Sequence, residues 1–513
     1  MTILLAALLA SAHATAPTPS TTSSTAHNAA NDDPYLWLEE TNGDKAIAWV
    51  KARNAESERA IASAPDFAAT KKQILEVLDS TEKIPYVERH GDLLYNFWRD
   101  KEHVQGVWRR TTLDEYVKKD PKWETVLDVD ALSKAEKEKW VYKGASCLEP
   151  EHRLCLVQLS KGGGDAVVVR EFDTKSKAFV KDGFVVPEAK SDVSFVDADT
   201  IFVGTDFGKG SMTSSGYPRI TKLWNRGTPL SSATTVYEGK PEDVAIAGYH
   251  DNTPGFERDF VDRGIDFFSS ELFLRQKDGK LVLIDVPKDA IANVEREWLT
   301  VQLRTPWTVG GKTHPAGSLL ATRFDAFMKG KRDFTTLFTP TATTSIAGTA
   351  WTRHKLLLTV LDDVKSRVFV LTPKAGAWKK EPLGGAPEMS AVQAYPGDAD
   401  RDDEVWLTVT GFLTPTTYMR GMIGDDKREA PKALKQTPAW FDASPYVVTQ
   451  AFAKSKDGTR VPYFVVAAKN MKLDGKNPTL LYGYGGFEIS LTPWYSGAVG
   501  RAWLQKGGVY VVA

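Results

Sequence analysis

From about residue 84 to about 438 the chain repeats one texture: short β-rich runs set apart by Gly, Asp, Asn and Pro. TIFVGTDFG, LFLRQKDGKLVLIDV and EVWLTVTGFL are examples, and Lys277-Asp278-Gly279-Lys280 reads as a hairpin turn between two apolar stretches. Many short strands at even spacing fit a propeller, a solenoid or a sandwich. About 355 residues is too long for one sandwich, and at roughly 50 residues a blade it makes about seven propeller blades. Fifteen Trp, sixteen Tyr and 23 Phe supply the large anchors that several small β layers need. Self-similarity is too weak to align the blades from one sequence.

The flanks read differently. Residues 32–80 look helical: Asn42 or Asp44 is placed to cap a helix running to about Ile61, with Ile47, Val50 and Ile61 among its apolar positions. A second helix fits 66–79, where Phe67, Ile74, Leu75 and Leu78 recur at helical spacing. After Pro438, four runs read as strands: Val447 to Ala453, Val461 to Ala468, Thr479 to Tyr482 and Gly508 to Ala513. The last two are short and nearly all apolar, as in strands covered on both faces of an α/β sheet. The terminal run is expected to leave an unpaired edge and an uncovered apolar face.

A net charge of −1 argues against a basic nucleic-acid surface. The opening MTILLAALLASAHATA holds an apolar core from Ile3 to Ala10 and a small-x-small site at Ala12-His13-Ala14 or Ala14-Thr15-Ala16. Residues 1–16 therefore read as an export signal, although the positively charged start of such signals is missing. Residues 17–31 read as a flexible lead. With no run of about 20 apolar residues, no membrane span is expected. Cys147 and Cys155 flank Glu149-Pro150-Glu151-His152, which reads as a hairpin turn that brings the thiols together. A disulfide is expected if the protein is exported to a periplasm or secreted, and two free thiols if it stays in the cytoplasm. No metal site is expected, because His152 has no second ligand pair near it, and no cofactor is called for.

Several motif-like stretches are turn chemistry. Val309-Gly310-Gly311-Lys312-Thr313 resembles the end of a phosphate loop, but Pro306 stands where the first glycine is required. Thr205-Asp206-Phe207-Gly208 lies among hairpins, and Gly162-Gly163-Gly164 precedes a strand rather than a helix. The acidic run Asp398 to Glu404 lacks calcium-loop spacing and reads as a solvated turn.

DPYLWLEE near the start, SKDGTRVPYFVV at 455–466 and PTLLYGYGGFEISLTPWYS at 478–496 resemble the prolyl oligopeptidase family of serine peptidases. The resemblance covers most of residues 32–513 and is strongest at its two ends. It implies a mainly β fold: a seven-bladed β-propeller at 83–440, capping an α/β-hydrolase domain assembled from a helical segment at 32–82 and a part beginning at 441–513. It implies that Tyr484 supplies a hydroxyl to an oxyanion hole and that Phe487 lines the pocket for the residue before the cleaved bond. Gly483, Gly485 and Gly486 would let the backbone turn sharply beside the substrate. The implied partners are short peptides, cleaved after proline, with the propeller as a size filter and the protein a monomer.

One departure matters. There is no G-x-S-x-G, and the last of the eight histidines is His354. A Ser–His–Asp mechanism needs a base within hydrogen-bond reach of its nucleophile, and no histidine is available in the closing sheet. The chain is thus expected to be the front part of such an enzyme, incomplete in its hydrolase domain and inactive alone. The rival expectations are a non-catalytic propeller that binds a partner, and a relative that releases dipeptides or prefers basic residues.

Overall fold

The computed structural model describes residues 33–513 apart from Thr41, Ala375, Gly376, Gly385, Ala386 and Glu388. The export signal expected at 1–16 and the lead at 17–31 lie outside the described residues. Seven antiparallel sheets follow one another along the chain, at 88–128, 140–189, 192–238, 245–283, 291–338, 344–382 and 391–436. Six have four strands. The second gains a fifth, Val185–Ala189, paired with Val167–Asp173, and the fifth carries an inserted hairpin, Trp307–Val309 with Lys312–His314. Gly310 and Gly311, in the stretch that resembles a phosphate loop, make the tight turn of that hairpin at φ +57° and +75°.

Side-chain alternation explains why these sheets stack into a ring of blades. In Leu154–Lys161, Cys155, Val157 and Leu159 pack with Tyr95 and Trp108 of the first blade, while Leu156 packs with Val193, Ile201 and Val203 of the third. In Leu356–Asp362, Leu356, Leu358 and Val360 face the fifth blade and Leu357 faces the seventh. A strand between two blades buries both faces, so its sequence reads as a continuous apolar run.

The ring closes between the seventh blade and the first, and it closes by side chains, because no strand of one enters the sheet of the other. Leu94 and Tyr116 pack against Trp406 and Tyr418. Glu404, fully buried, accepts from Arg89 at 2.8 Å and from the Trp406 indole at 2.9 Å, and also pairs with Arg420. The acidic run read as a solvated turn is therefore a seam. Asp403 accepts from Thr352 at 2.6 Å and contacts His354 at 2.9 Å on the sixth blade. Arg296 of the fifth reaches Asp400 at 2.6 Å, and Arg401 pairs with Asp92 of the first. Even spacing shows that blades exist, but not which loop fastens them.

The chain's two flanks pack together as a second unit. Helices Asp44–Ile61 and Phe67–Leu78 form, but the first begins at Gly43 with no side-chain cap, so neither Asn42 nor Asp44 caps it. Its Ile47, Val50 and Ile61 are exposed, and Ala46 is its buried residue. The helix Phe67–Leu78 meets the late helix Gly497–Ala502, with Glu76 paired to Arg501 at 3.1 Å and Asp66 to Lys506 at 2.7 Å. The terminal sheet runs in the order Tyr446–Lys454, Arg460–Ala468, Val509–Val512, Thr479–Tyr482, with the last pair parallel. Two expectations are corrected here. The final strand is paired on both sides, to Phe464–Val466 and to Thr479–Tyr482. The edge is Thr479–Tyr482, which is exposed along its length rather than covered on both faces; a neighbouring strand closes an edge, and the faces need other elements packed over them. Phe464, Val466, Leu504 and Val512 of this unit share a core with Phe412, a residue from the seventh blade.

Glu404→Ala is expected to cost about 3–5 kcal/mol in denaturant unfolding, because the buried guanidinium groups of Arg89 and Arg420 lose their partner. Asp92→Ala, removing a carboxylate 85% exposed beside Arg401, should cost no more than about 1 kcal/mol.

Candidate active-site loop

The strand Thr479–Tyr482 ends in Gly483-Tyr484-Gly485-Gly486-Phe487-Glu488. None of the three glycines adopts a left-handed φ. The turn is made instead by Phe487 and Glu488, at φ +58° and +57°. At 486 glycine serves a close approach: a Cβ there would sit 3.1 Å from the Tyr484 hydroxyl oxygen. Tyr484 and Phe487 are both about half exposed, so both side chains are open to a ligand.

The loop lies where the second unit meets the propeller. Phe487 packs on Phe267 with ring centroids 4.5 Å apart, and Glu488 pairs with Arg304 at 2.7 Å. Phe267 follows the second strand of the fourth blade and Arg304 the second strand of the fifth. Farther round the same face, Asp363, in the turn after the second strand of the sixth blade, accepts from Arg460 at 2.7 Å. In antiparallel blades, connections after the second strand and connections after the first lie at opposite ends. His354 follows a first strand and bonds Asp403, so it sits on the far face from Tyr484. In the terminal unit Ser496 caps the helix Gly497–Ala502 through the Val499 amide, and Ser455 bonds Asp457 in a turn. No histidine follows His354 to activate a serine.

The far face carries a set of ionisable groups that the sequence did not single out. They lie at or just beyond the ends of the blades' first strands: His90 of the first blade, Glu149 and His152 of the second, Asp251 of the fourth, Glu295 and Arg296 of the fifth, Asp398 and Asp400 of the seventh. His90 stacks on His152 at 4.6 Å, and burial together with that neighbour drives its imidazole down to about 3. Burial pushes Glu295 up to about 7, with Asp251 and Asp400 adding to it against the pull of Arg296. Burial and the negative field of Asp400, Asp398 and Asp251 push Glu149 up to about 7 as well. The signal for these residues is their shared position at or just beyond the end of a blade's first strand, which needs the blades aligned to be seen. Beside them, Cys147 and Cys155 pair directly across the first hairpin of the second blade and are joined by a disulfide. Among the described residues there is no cluster of His, Cys, Asp and Glu able to hold a metal ion, and no helix long and apolar enough to cross a membrane.

A ring of seven antiparallel blades, next to an α/β sheet with a glycine-rich strand end, defines a propeller-bearing hydrolase architecture. The family model of the prolyl oligopeptidase N-terminal β-propeller domain matches residues 15–433, and the chain belongs to the prolyl oligopeptidase family. It is 39% identical over 492 residues to an uncharacterised peptidase of Sinorhizobium fredii, covering 94% of this chain and 67% of that one. It is 32% identical over 501 residues to an uncharacterised peptidase of Rickettsia prowazekii, covering 94% and 69%. Among solved structures, a post-proline cleaving enzyme from Rickettsia typhi superposes with a TM-score of 0.86 at 30% identity, over 93% of this chain and 71% of that one.

Replacing Glu295 isolates one titration. Its carboxyl takes up a proton near pH 7 in the folded state and near 4.5 when unfolded. The folded chain therefore holds the extra proton between those values, and stability falls as pH rises through them. Unfolding midpoints measured across that range should decline for the natural chain relative to Glu295→Gln, with the difference constant above pH 8; parallel profiles would exclude the shift.

Proposed function

We propose that this chain supplies the propeller and the oxyanion loop of a serine peptidase that cleaves short peptides after proline, acting as a monomer. One observation carries the reading: Tyr484 and Phe487 stand half exposed on one strand-end loop, at the face where the propeller meets the α/β sheet. Attack on a peptide carbonyl places negative charge on its oxygen. A phenolic O–H aimed at that oxygen donates to it more strongly in the transition state than in the ground state, and one such donor contributes about 2.7–4 kcal/mol. Phe487 offers an aromatic surface to a flat, apolar residue such as proline. The relative described as a post-proline cleaving enzyme and a prolyl endopeptidase of Elizabethkingia miricola, 24% identical, support the substrate class.

The nucleophile, the base and the orienting acid are not contributed by these 513 residues, so the chain by itself is inactive. The ring of blades restricts access to extended peptides. The disulfide between Cys147 and Cys155 supports an exported protein, since such bonds persist in oxidising compartments.

The test is hydrolysis of fluorogenic Gly-Pro, Gly-Ala and Gly-Arg amides by the protein purified from its native source. Preferred cleavage of the Gly-Pro amide is expected, and Tyr484→Phe should lower kcat by about 10²–10³ with little change in KM. Equal rates on the three amides, or full activity of the Phe variant, would remove the reading. The 513-residue chain alone should take no label from a fluorophosphonate probe; labelling would show that it contains its own nucleophile.

A further inference from the structure

The left-handed pair at Phe487 and Glu488 calls for a cause outside the loop. Residues other than glycine adopt that region at a steric cost and stay there where their surroundings over-determine them. The loop's own backbone offers a long hydrogen bond, from the Ile489 amide to the Gly486 carbonyl at 3.3 Å. The strand that precedes it is an edge. The propeller provides more. Phe267 packs on Phe487, and Phe268 meets Phe267 edge-on with centroids 5.0 Å apart. The Arg304 guanidinium lies 4.2 Å over Phe268 while its Nη1 donates to Glu488 at 2.7 Å.

These propeller groups are themselves anchored. Phe268 is set by its amide, which donates to Asp266 at 2.8 Å. Arg304 follows Leu303, which is buried in the core between the fourth and fifth blades and donates its amide to Ser318 at 2.9 Å. A planar guanidinium stacks on an aromatic face and pairs with a carboxylate at once; a lysine ammonium cannot present that flat face.

We propose that Arg304, stacked on Phe268, is a positioning residue of the propeller that sets the conformation of the loop carrying Tyr484. It does not touch substrate. It acts through Glu488, four residues beyond the tyrosine, so the loop takes its working shape when the propeller is docked. This rests on the reading of Tyr484 as an oxyanion donor.

Hydrogen exchange of the 513-residue chain tests the clamp without any activity. Arg304→Met should speed exchange of the Ile489 amide, whose bond to the Gly486 carbonyl closes the loop, by about tenfold or more, while those of Arg460–Ala468 and Val509–Val512 keep their rates. Glu488→Gln should act alike from the other side of the pair, and Arg304→Lys, which keeps the charge, should restore part of the protection. Unchanged exchange at Ile489 in both Arg304→Met and Glu488→Gln would overturn the proposal. So would equal acceleration across the whole terminal sheet, or Arg304→Lys behaving as Arg304→Met. In the native-source enzyme Arg304→Met should lower kcat and leave KM. A loosened loop in an enzyme whose Tyr484→Phe variant is fully active would leave the clamp standing and remove the donor role.

Discussion

A ring of sheets built from one linear chain must join its last blade to its first, and here that junction is made without a shared strand. The constraint falls on Glu404. Its carboxylate is fully buried, yet it faces Arg89 from the first blade, Arg420 from its own blade and the Trp406 indole. A carboxylate so placed is stable only because its charge is met and its lone pairs are filled. The aromatic contacts around it, Tyr116 on Trp406 and Trp406 on Tyr418, supply the apolar part of the seam. A comparable buried carboxylate, Glu171 of the second blade, meets Arg226 of the third, but those two blades are already consecutive in the chain, whereas Glu404 joins its two ends.

The propeller's existence was legible because strands buried on both faces leave dense, continuous apolar runs, and turn residues punctuate them. Helices at both ends of residues 32–80 and the four terminal strands were legible for the same kind of reason. The failures have physical causes too. The acidic run Asp398 to Glu404 looks like solvent-facing sequence, since local charge says nothing about partners some hundred residues away such as Arg296. The apolar strand Thr479–Tyr482 looks covered, but cover is a property of neighbours in space. The glycines of the loop look like its hinge, yet an extended or right-handed φ is equally open to them, and the left-handed turn fell on Phe487 and Glu488. Tyr484 and Phe487 could be picked out through their family resemblance; Phe267, Phe268 and Arg304 could not, because they lie in unremarkable connections of two different blades.

Topology makes the second unit dependent on both ends of the chain. Glu76 and Asp66 from the early helices bond Arg501 and Lys506, so the segment before the propeller and the segment after it form one packed body with the ring inserted between them. The same body touches the propeller through Phe412 in its core, through Arg460 on Asp363, and through the strand-end loop. Loops following second strands provide the last two contacts, which places the candidate chemistry on one face of the ring and the buried carboxylates and histidines on the other.

Magnitudes explain why that loop is sensitive to docking. Two left-handed residues that are not glycine cost on the order of 1–3 kcal/mol each. Against this stand a partly exposed ion pair at about 0.2–1 kcal/mol, an aromatic contact at about 0.5–1.5 and a guanidinium over a ring at about 0.5–2. The opposing sums are comparable, so neither dominates. With the propeller in contact the strained shape is held; with Phe267, Phe268 and Arg304 withdrawn, the cost remains and the compensation is gone. On the proposed reading of Tyr484 as a donor, its hydroxyl, three residues before the strain, takes its working alignment when the two units are together.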